Sequence, residues 1–169
     1  PKPAVTPKAN REWTKFSDSN EPPTSSPRKR SPKDKLAIRA RKNTQLTRKG
    51  NSLHLTFTGD DPGIAMDLRR TPKTPVGPYL LTFTLTTERK DTGHLFFTTD
   101  QASVLPKATP ISFPVSGGNT RQQIDIAIDT RKSLHLLRLD VSSGPGKAVI
   151  EKLKLLDQNR KTLLDWTSK

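Results

Sequence analysis

The feature that most constrains the fold of this chain is a series of short runs in which apolar and polar residues alternate. In NSLHLTFT (51–58), every second residue from Leu53 to Phe57 is large and apolar. The same period of two recurs in PYLLTFTLTT (78–87) and in RQQIDIAID (121–129). This period places alternate side chains on opposite faces of an extended chain, and threonine and isoleucine favour strands. Each run therefore predicts a β-strand with one buried face.

Further runs of the same kind extend the pattern over most of the chain. The other predicted strands are LAIRAR (36–41), IAMDL (64–68), GHLFFTT (93–99), ISFPV (111–115), LHLLRLDV (134–141), AVIEKLKLL (148–156) and TLLDW (162–166). Segments rich in turn-favouring residues, such as TGDDPG, SGGNT and SSGPG, separate them. About ten strands at turn spacing, without a convincing amphipathic helix, predict an all-β fold in the form of an antiparallel β-sandwich.

The end of the chain leaves alternatives open. AVIEKLKLL also fits helical spacing through Val149 and Leu153, although its β-branched start and its neighbours favour a strand. Glycine and proline in SSGPG suit a tight turn, so LRLDV (137–141) and AVIEKLKLL are predicted to pair as a hairpin. In LRLDV, the alternation directs Arg138 and Asp140 away from the core.

Charge and proline content divide the chain into two parts. The net charge is +14, and residues 1–50 hold 14 Lys and Arg against 4 Asp and Glu. Seven of the 15 prolines lie in residues 1–32. This segment is too polar and too charged to bury enough apolar surface to offset the conformational entropy that it would lose on folding. We therefore predict a basic, proline-rich linker or tail over residues 1–34 and a folded domain over residues 35–169.

Several classes of function are excluded or disfavoured by the sequence. The absence of cysteine excludes disulfides, thiol nucleophiles and thiolate metal sites. No run approaches the ~18 apolar residues of a transmembrane helix, so no membrane span is predicted. No G-x-S-x-G, P-loop or G-x-G-x-x-G motif occurs, and His54, His94 and His135 lack metal-site spacing. The chain is thus predicted to be non-catalytic, and its start at Pro1 predicts a fragment or a processed protein.

The order of the strand sequences is similar to that of one group of accessory domains. The succession LHLTFTGDDPGIAM, GPYLLTFTLTT, GHLFFTTD, ISFPV and LHLLRLDVSSGPGKAVIEKLKLLD, within about residues 36–166, resembles jelly-roll, galactose-binding-like or carbohydrate-binding-like domains. In style it is similar to the C-terminal module of bacterial secreted sulfatases. The resemblance implies a jelly roll that is a non-catalytic, carbohydrate-binding-like module of a larger secreted hydrolase, with a sulfatase as the leading parent. It also implies a secreted or periplasmic location.

Such a module would dock its parent enzyme on an anionic or sulfated polysaccharide, or would pack against the catalytic domain and stabilise it. Two loops supply candidate ligand-binding cations, namely Arg69, Arg70 and Lys73 in one and Arg131 and Lys132 in the other. If both loops lie at one end of the sandwich, the guanidinium forks can bind sulfate or carboxylate groups bidentately. The alternative is a solvated surface of scattered charges.

Aromatic residues that could stack on a sugar are few. Aromatic residues make up 5% of the chain, and Tyr79, one of Phe96 and Phe97, and Trp13 are the candidates outside the predicted core. Trp166 is predicted to pack as a lid on the sandwich rather than to bind a sugar.

The turn TGDDPG is a candidate metal site. Carboxylates and carbonyls in a turn are the hard oxygen ligands that calcium prefers. Jelly-roll carbohydrate modules often hold a structural calcium, so the resemblance permits one here, with Asp60, Asp61 or Asp140 as ligands. The alternative is an ordinary turn in which Pro62 restricts the residue before it.

A second class of function follows from the basic segments. SPRKRSPKDK and RARKNTQLTRKG would give salt-dependent affinity for polyanions, including nucleic acid. Aromatic residues are not interleaved with these cations, so the sequence does not support stacking on single strands and disfavours a specific nucleic-acid function. The alternative to a carbohydrate module is therefore a stand-alone basic protein that binds nucleic acid or other polyanions through its N-terminal tail, which is rich in Lys and Arg.

Overall fold

The structure, a computed structural model, describes residues 38–69, 71, 76–99 and 110–168. It contains eleven strands in these ranges: β1 (Ile38–Ala40), β2 (Thr44–Lys49), β3 (Ser52–Phe57), β4 (Ile64–Asp67), β5 (Tyr79–Thr87), β6 (Asp91–Thr98), β7 (Ile111–Val115), β8 (Gln122–Ile128), β9 (Leu136–Asp140), β10 (Gly146–Asp157) and β11 (Thr162–Asp165). The predicted tail at residues 1–34 and its boundary with the domain lie outside the described residues.

The strands form two antiparallel sheets that pack as a sandwich, so the predicted all-β fold is confirmed. Sheet 1 has the order β1-β4-β9-β6-β7, and sheet 2 has the order β2-β3-β10-β5-β8, with β11 also paired to β10. The inward-facing residues of both sheets form one buried apolar core. Phe83 of sheet 2 meets Phe113 of sheet 1 edge-to-face, with ring centroids 5.9 Å apart. None of the described residues forms a helix of the length and hydrophobicity needed to cross a membrane.

The strand β2 was not predicted. Its sequence TQLTRK contains one large apolar residue, Leu46, and ends in two cations. Among the described strands it pairs only with β3, at the edge of sheet 2, and Leu46 is its one residue packed against the core. An edge strand that buries so little carries a weak alternation signal.

The predicted hairpin across SSGPG is wrong. Strand β9 lies in sheet 1 between β4 and β6, whereas β10 lies in sheet 2 between β3 and β5. The segment between them carries the chain from one sheet to the other. It is held by Asp91, whose carboxylate accepts hydrogen bonds from the backbone N–H of Ser143 (2.8 Å) and from the hydroxyl of Ser142 (3.2 Å). Both flanking strands already have two neighbours, so they cannot also pair with each other.

The irregular structure of β10 explains why the spacing of its apolar residues also fits a helix. Ile150 and Leu153 are both fully buried although they are three residues apart. The register with β5 shifts between Glu151 and Lys154, and Lys152 has φ 53°, so the strand contains a β-bulge. The extra residue moves the alternation by one position and keeps both halves of β10 facing the core.

The C-terminal tryptophan closes the sandwich. Trp166 is 2% exposed, and its backbone N–H donates a hydrogen bond of 2.9 Å to the carbonyl of Leu153. The ring therefore lies in the core, as predicted for a packed lid.

The bulge predicts that glycine substitutions at two exposed lysines of β10 affect the free energy of unfolding differently. Lys152→Gly should leave the free energy of unfolding unchanged or raise it by up to about 1 kcal/mol, because glycine adopts positive φ without strain. Lys147→Gly, in the regular part of the strand, should lower it by about 0.5–1 kcal/mol. Urea denaturation of both variants measures the difference, and equal losses would contradict a left-handed bulge at Lys152.

Candidate functional site

The structure brings the two predicted cationic loops to the same end of the sandwich. The backbone N–H of Leu68, beside Arg69, donates a 2.9 Å hydrogen bond to the carbonyl of His135. The hydroxyl of Tyr79 donates one of 3.2 Å to the carbonyl of Lys132. The segments that carry Arg69 and Lys132 therefore lie side by side. Arg70 and Lys73, from the same set, lie outside the described residues.

The charge of Arg69 is largely neutralised by a neighbouring acid. Its Nη2 lies 2.6 Å from Oδ2 of Asp67 and its Nε donates to Oδ1 at 2.9 Å. Hydrogen bonding to Arg69 holds the pKa of the Asp67 carboxyl below its usual range. By contrast, Arg131 and Lys132 are exposed, and neither forms an ion pair with any residue in the described part of the chain. These two are the predicted ligand-binding cations that remain available.

Tyr79 cannot serve as the predicted sugar platform. Its side chain is 3% exposed and belongs to the core between the sheets. A ring buried on both faces offers no surface to a pyranose. Tyr79 is a structural residue whose hydroxyl ties the start of β5 to the neighbouring loop.

Two of the three predicted metal ligands, Asp61 and Asp140, instead take part in an ion-pair cluster. Arg138 binds Asp140 through two contacts, Nε to Oδ1 at 2.9 Å and Nη2 to Oδ2 at 2.6 Å. The same Nη2 contacts Oδ1 of Asp61, and Nη2 of Arg41 lies 3.5 Å from Oδ2 of Asp61. We call Asp61, Arg138 and Asp140 the Asp–Arg–Asp cluster. Asp60 contributes its backbone carbonyl, which accepts a 2.7 Å hydrogen bond from Nδ2 of Asn43.

This cluster is partly buried, and its charges are compensated. Burial raises the pKa of the Asp140 carboxyl, and the hydrogen bond from Arg138 opposes that rise. Gly63, the last residue of TGDDPG, makes room for it, because a Cβ at this position would overlap Oδ1 of Asp140. Asp61 has φ 56° and keeps 63% of its side chain exposed. The turn therefore presents one exposed carboxylate that two arginines hold in place.

The arrangement does not suit a cation. The guanidinium of Arg138 lies between the carboxylates of Asp61 and Asp140, and Arg138 and Arg41 together balance the two negative charges. The described residues contain no group of three or more His, Asp or Glu side chains placed to hold a metal ion. Calcium binding stays a prediction of the sequence and gains no support from the geometry around Asp61.

An aromatic and polar surface surrounds the cluster on the outer face of sheet 1. Phe96 lies directly opposite Arg138, whose guanidinium carbon is 5.0 Å from the centroid of its ring. In the next row, His94 lies between Asp140 and Ser112, and its Nδ1 is 3.1 Å from the Ser112 hydroxyl. Leu95 and Phe97, the sequence neighbours of Phe96, face the core. Phe96, His94, Ser112 and the Asp–Arg–Asp cluster together form what we call the Phe96 face.

The row Asp140, His94, Ser112 contains the residue types of a hydrolytic triad but not the hydrogen bonding that links them in such a triad. In such a triad the carboxylate orients the imidazole. Here both oxygens of Asp140 are engaged by Arg138. The groups are better suited to hydrogen bonding with a bound ligand than to activating the serine.

Sequence reasoning found only part of this site. The alternation in LRLDV correctly places Arg138 and Asp140 on the outer face. Their neighbours Phe96 and Asp61 come from other segments, with Asp61 77 residues before Arg138. Period-two alternation also signals that Phe96 faces outward, since Leu95 and Phe97 flank it, but strand register is needed to place it beside Arg138.

The cluster yields a prediction for stability. Arg138→Met should lower the free energy of unfolding at pH 7 by about 3 kcal/mol, because it leaves the charge of Asp140 buried without a partner. The folded-state pKa of Asp140 is raised, so the folded protein binds this proton before the unfolded chain does. The loss should therefore shrink as the pH is lowered from 7 towards about 4.

Urea denaturation over this pH range measures the loss, and Arg138→Met/Asp140→Asn is the control that should recover most of it at pH 7. A loss that is independent of pH would contradict electrostatic coupling between the two residues.

Comparison with known proteins shows similarity of fold alone. No protein-family model and no curated protein matches the chain. A solved family 29 carbohydrate-binding module is 10% identical, with TM-score 0.54 over 72% of this chain and 77% of that chain. Mutants of a family 29 module complexed with cellulohexaose and with mannohexaose are 11% and 13% identical. Each has TM-score 0.51 over 72% of this chain and 80% of its own. The two-sheet antiparallel sandwich described above is thus a fold that carbohydrate-binding modules also adopt.

Proposed function

We propose that this chain is a non-catalytic carbohydrate-binding module that docks on a polysaccharide through the Phe96 face. The observation that carries the proposal is the combination of Phe96 with the Asp–Arg–Asp cluster on one sheet face. Sugar recognition combines an apolar ring surface with a few polar groups in fixed positions. The fold likeness to modules solved with cellulohexaose and mannohexaose supports the same class of ligand.

The polar groups of the Phe96 face are held in place before any ligand binds. The exposed carboxylate of Asp61 can accept hydrogen bonds from sugar hydroxyls while Arg41 and Arg138 fix its position. The two arginines also balance the charges of Asp61 and Asp140, so an uncharged sugar meets no net charge at this site. Groups fixed in advance lose little conformational entropy on binding.

A polysaccharide with sulfate or carboxylate groups could also reach the cationic loops. Arg131 and Lys132 lie at the end of sheet 1 where β9 begins, and the Phe96 face lies further along the same strand. Arg70 and Lys73 belong to the same proposal on sequence grounds. Docking on an anionic polysaccharide would therefore use both surfaces.

The proposed parent is a larger secreted hydrolase, with a sulfatase as the leading candidate. This part of the proposal rests on the sequence resemblance, as does a secreted or periplasmic location. The module would hold its parent on the polysaccharide or stabilise the catalytic domain by packing against it. Binding assays on the isolated chain distinguish the two roles, because a purely stabilising module would bind no glycan.

Phe96→Ala should weaken binding of a recognised hexasaccharide about tenfold or more, because the ring supplies the stacking surface. Cellohexaose, mannohexaose and sulfated oligosaccharides are the probes, titrated calorimetrically at low salt and at 0.5 M NaCl. Leu156→Ala, a partly buried leucine on the outer face of sheet 2, is the matched control and should leave the affinity within twofold. Equal losses in both variants, with unchanged circular dichroism, would contradict a site on sheet 1.

The second candidate function is polyanion binding through the N-terminal tail, and the observation that favours it is the uneven charge. Residues 1–50 carry 14 cations and 4 acids, a net of +10, whereas residues 51–169 carry 16 and 12, a net of +4. The eleven strands in the described part of the chain begin at Ile38.

Deleting residues 1–34 should therefore leave hexasaccharide binding within twofold, because no described strand is removed. The same titrations, repeated on the shortened chain, measure this. Binding that vanishes with the tail, and that disappears in the full chain at 0.5 M NaCl, would favour the polyanion function instead.

A further inference from the structure

The row of side chains that contains Phe96 continues across the outer face of sheet 1 to its edge. Phe96 pairs in register with Arg138, which pairs with Ala65 of β4. Ala65 pairs in turn with Arg39 of β1. Residues that pair in this way project from the same face of a sheet. The ring of Phe96 and the guanidinium of Arg39 therefore share one surface, and three strand spacings, or roughly 14 Å, separate their backbones.

The part of this surface around Phe96 is electrically neutral. Two arginines, Arg41 and Arg138, balance the two carboxylates of Asp61 and Asp140. An uncharged sugar ring can stack on Phe96 there without leaving a charge unpaired.

The part of the surface near the edge has a surplus of positive charge. Asp67, two residues after Ala65 and on the same face, is bound through both carboxylate oxygens by Arg69. Hydrogen bonding to Arg69 is the main cause of the lowered pKa of the Asp67 carboxyl, and the charge of Arg39 lowers it further. Two guanidinium groups thus act on one carboxylate. Arg39 is exposed and forms no ion pair with any of the described residues.

The position beside Arg39 is open to a ligand. Ala65 carries only a methyl group, whereas both of its neighbours in the row are arginines. The guanidinium of Arg138 is held by Asp61 and Asp140. Ala65 stays partly exposed. An acidic group above Ala65 can therefore reach the guanidinium of Arg39.

Positive charge at a sheet edge can also serve to prevent pairing with other chains. The edge strand β1 has three residues, and so short a strand is itself a protection of this kind. Edge protection predicts no relation between Arg39 and a ligand of the Phe96 face, so a binding assay separates the two explanations.

We propose that Arg39 determines specificity at an anionic subsite above Ala65, in the same row as the neutral subsite at Phe96. This inference rests on the function proposed for the Phe96 face and names its ligand as an acidic polysaccharide. The planar guanidinium donates two charge-assisted hydrogen bonds to a carboxylate or a sulfate group of the sugar chain. A ligand that contacts both Phe96 and Arg39 is an oligosaccharide that lies across the strands, because a single sugar is too short.

The test compares hexasaccharides that differ only in charge. Cellohexaose and mannohexaose are titrated calorimetrically into the full chain at 50 mM NaCl, beside their uronic-acid counterparts, in which a carboxylate replaces each hydroxymethyl group, and their sulfated forms. At least one acidic form should bind about tenfold more tightly than its neutral counterpart, because the charge-assisted pair is added to the same stacking contact. The two acidic series show whether the anion is a carboxylate or a sulfate.

Arg39→Gln should weaken binding of the acidic hexasaccharide about tenfold and leave that of the neutral one within twofold. Phe96→Ala should weaken both, since both stack on the ring. Arg48→Gln removes the same charge from the exposed edge strand of sheet 2 and is the matched control, which should leave both affinities within twofold. Equal losses in Arg39→Gln and Arg48→Gln would show a non-local charge effect and overturn the proposal.

If urea denaturation shows that Arg39→Gln is destabilised, Arg39→Lys decides the question. Lysine keeps the positive charge beside Asp67 but lacks the planar fork, so the acidic hexasaccharide should bind several-fold more weakly than it does to the unmodified chain. An unchanged affinity for the acidic form in this variant would overturn the proposal.

Failure of the anionic subsite and failure of the proposed function give different results. If a neutral hexasaccharide binds through Phe96 and the acidic forms bind no more tightly, the anionic subsite alone is wrong. If no hexasaccharide binds, or if binding is unaffected by Phe96→Ala, the function proposed for the Phe96 face is wrong and the subsite is overturned with it.

Discussion

The bulge in β10 is the constraint on which the rest of the sandwich depends. β10 pairs with β3 and β11 on one side and with β5 on the other, so sheet 2 is assembled around it. A strand without the extra residue would turn either the half containing Ile150 or the half containing Leu153 towards solvent. Left-handed Lys152 keeps both halves in the core and places the carbonyl of Leu153 where Trp166 can bond to it. One exposed, strained residue thus lets a single long strand support three partners.

On the other sheet, Arg138 connects stability with the proposed function. Its guanidinium neutralises Asp140, which is largely buried, and it also holds the exposed Asp61. The same group lies against the ring of Phe96. Because one side chain contacts both carboxylates and the aromatic ring, it fixes the turn residue Asp61 against the strand residues Phe96 and Asp140. Groups fixed in this way suit recognition of an extended sugar chain.

Period-two alternation was enough to predict the sandwich and ten of its strands, because those strands each turn apolar residues towards the core. It failed for β2, where Leu46 is the only apolar residue, and it could not show that SSGPG joins different sheets. In the site, alternation placed Arg138 and Asp140 outward, but pairing Arg138 with Asp61 requires the register of strands far apart in the sequence. Tyr79 has the alternation phase of the core, and that signal was a better guide than its aromatic character.

The order of strands in the two sheets has a consequence for how the chain is made. Among the described strands of sheet 1, β1 pairs only with β4, and β4 joins the rest of the sheet only through β9. In sheet 2, the β2–β3 hairpin joins the other described strands only through β10. During synthesis from the N-terminus, the early strands therefore wait until residues 136–157 have left the ribosome. Contacts so distant in sequence make folding slow, so the unpaired early strands need protection from aggregation while they wait. The acid-free, cationic stretch through β1 and β2 provides this protection, because like charges keep nascent chains apart.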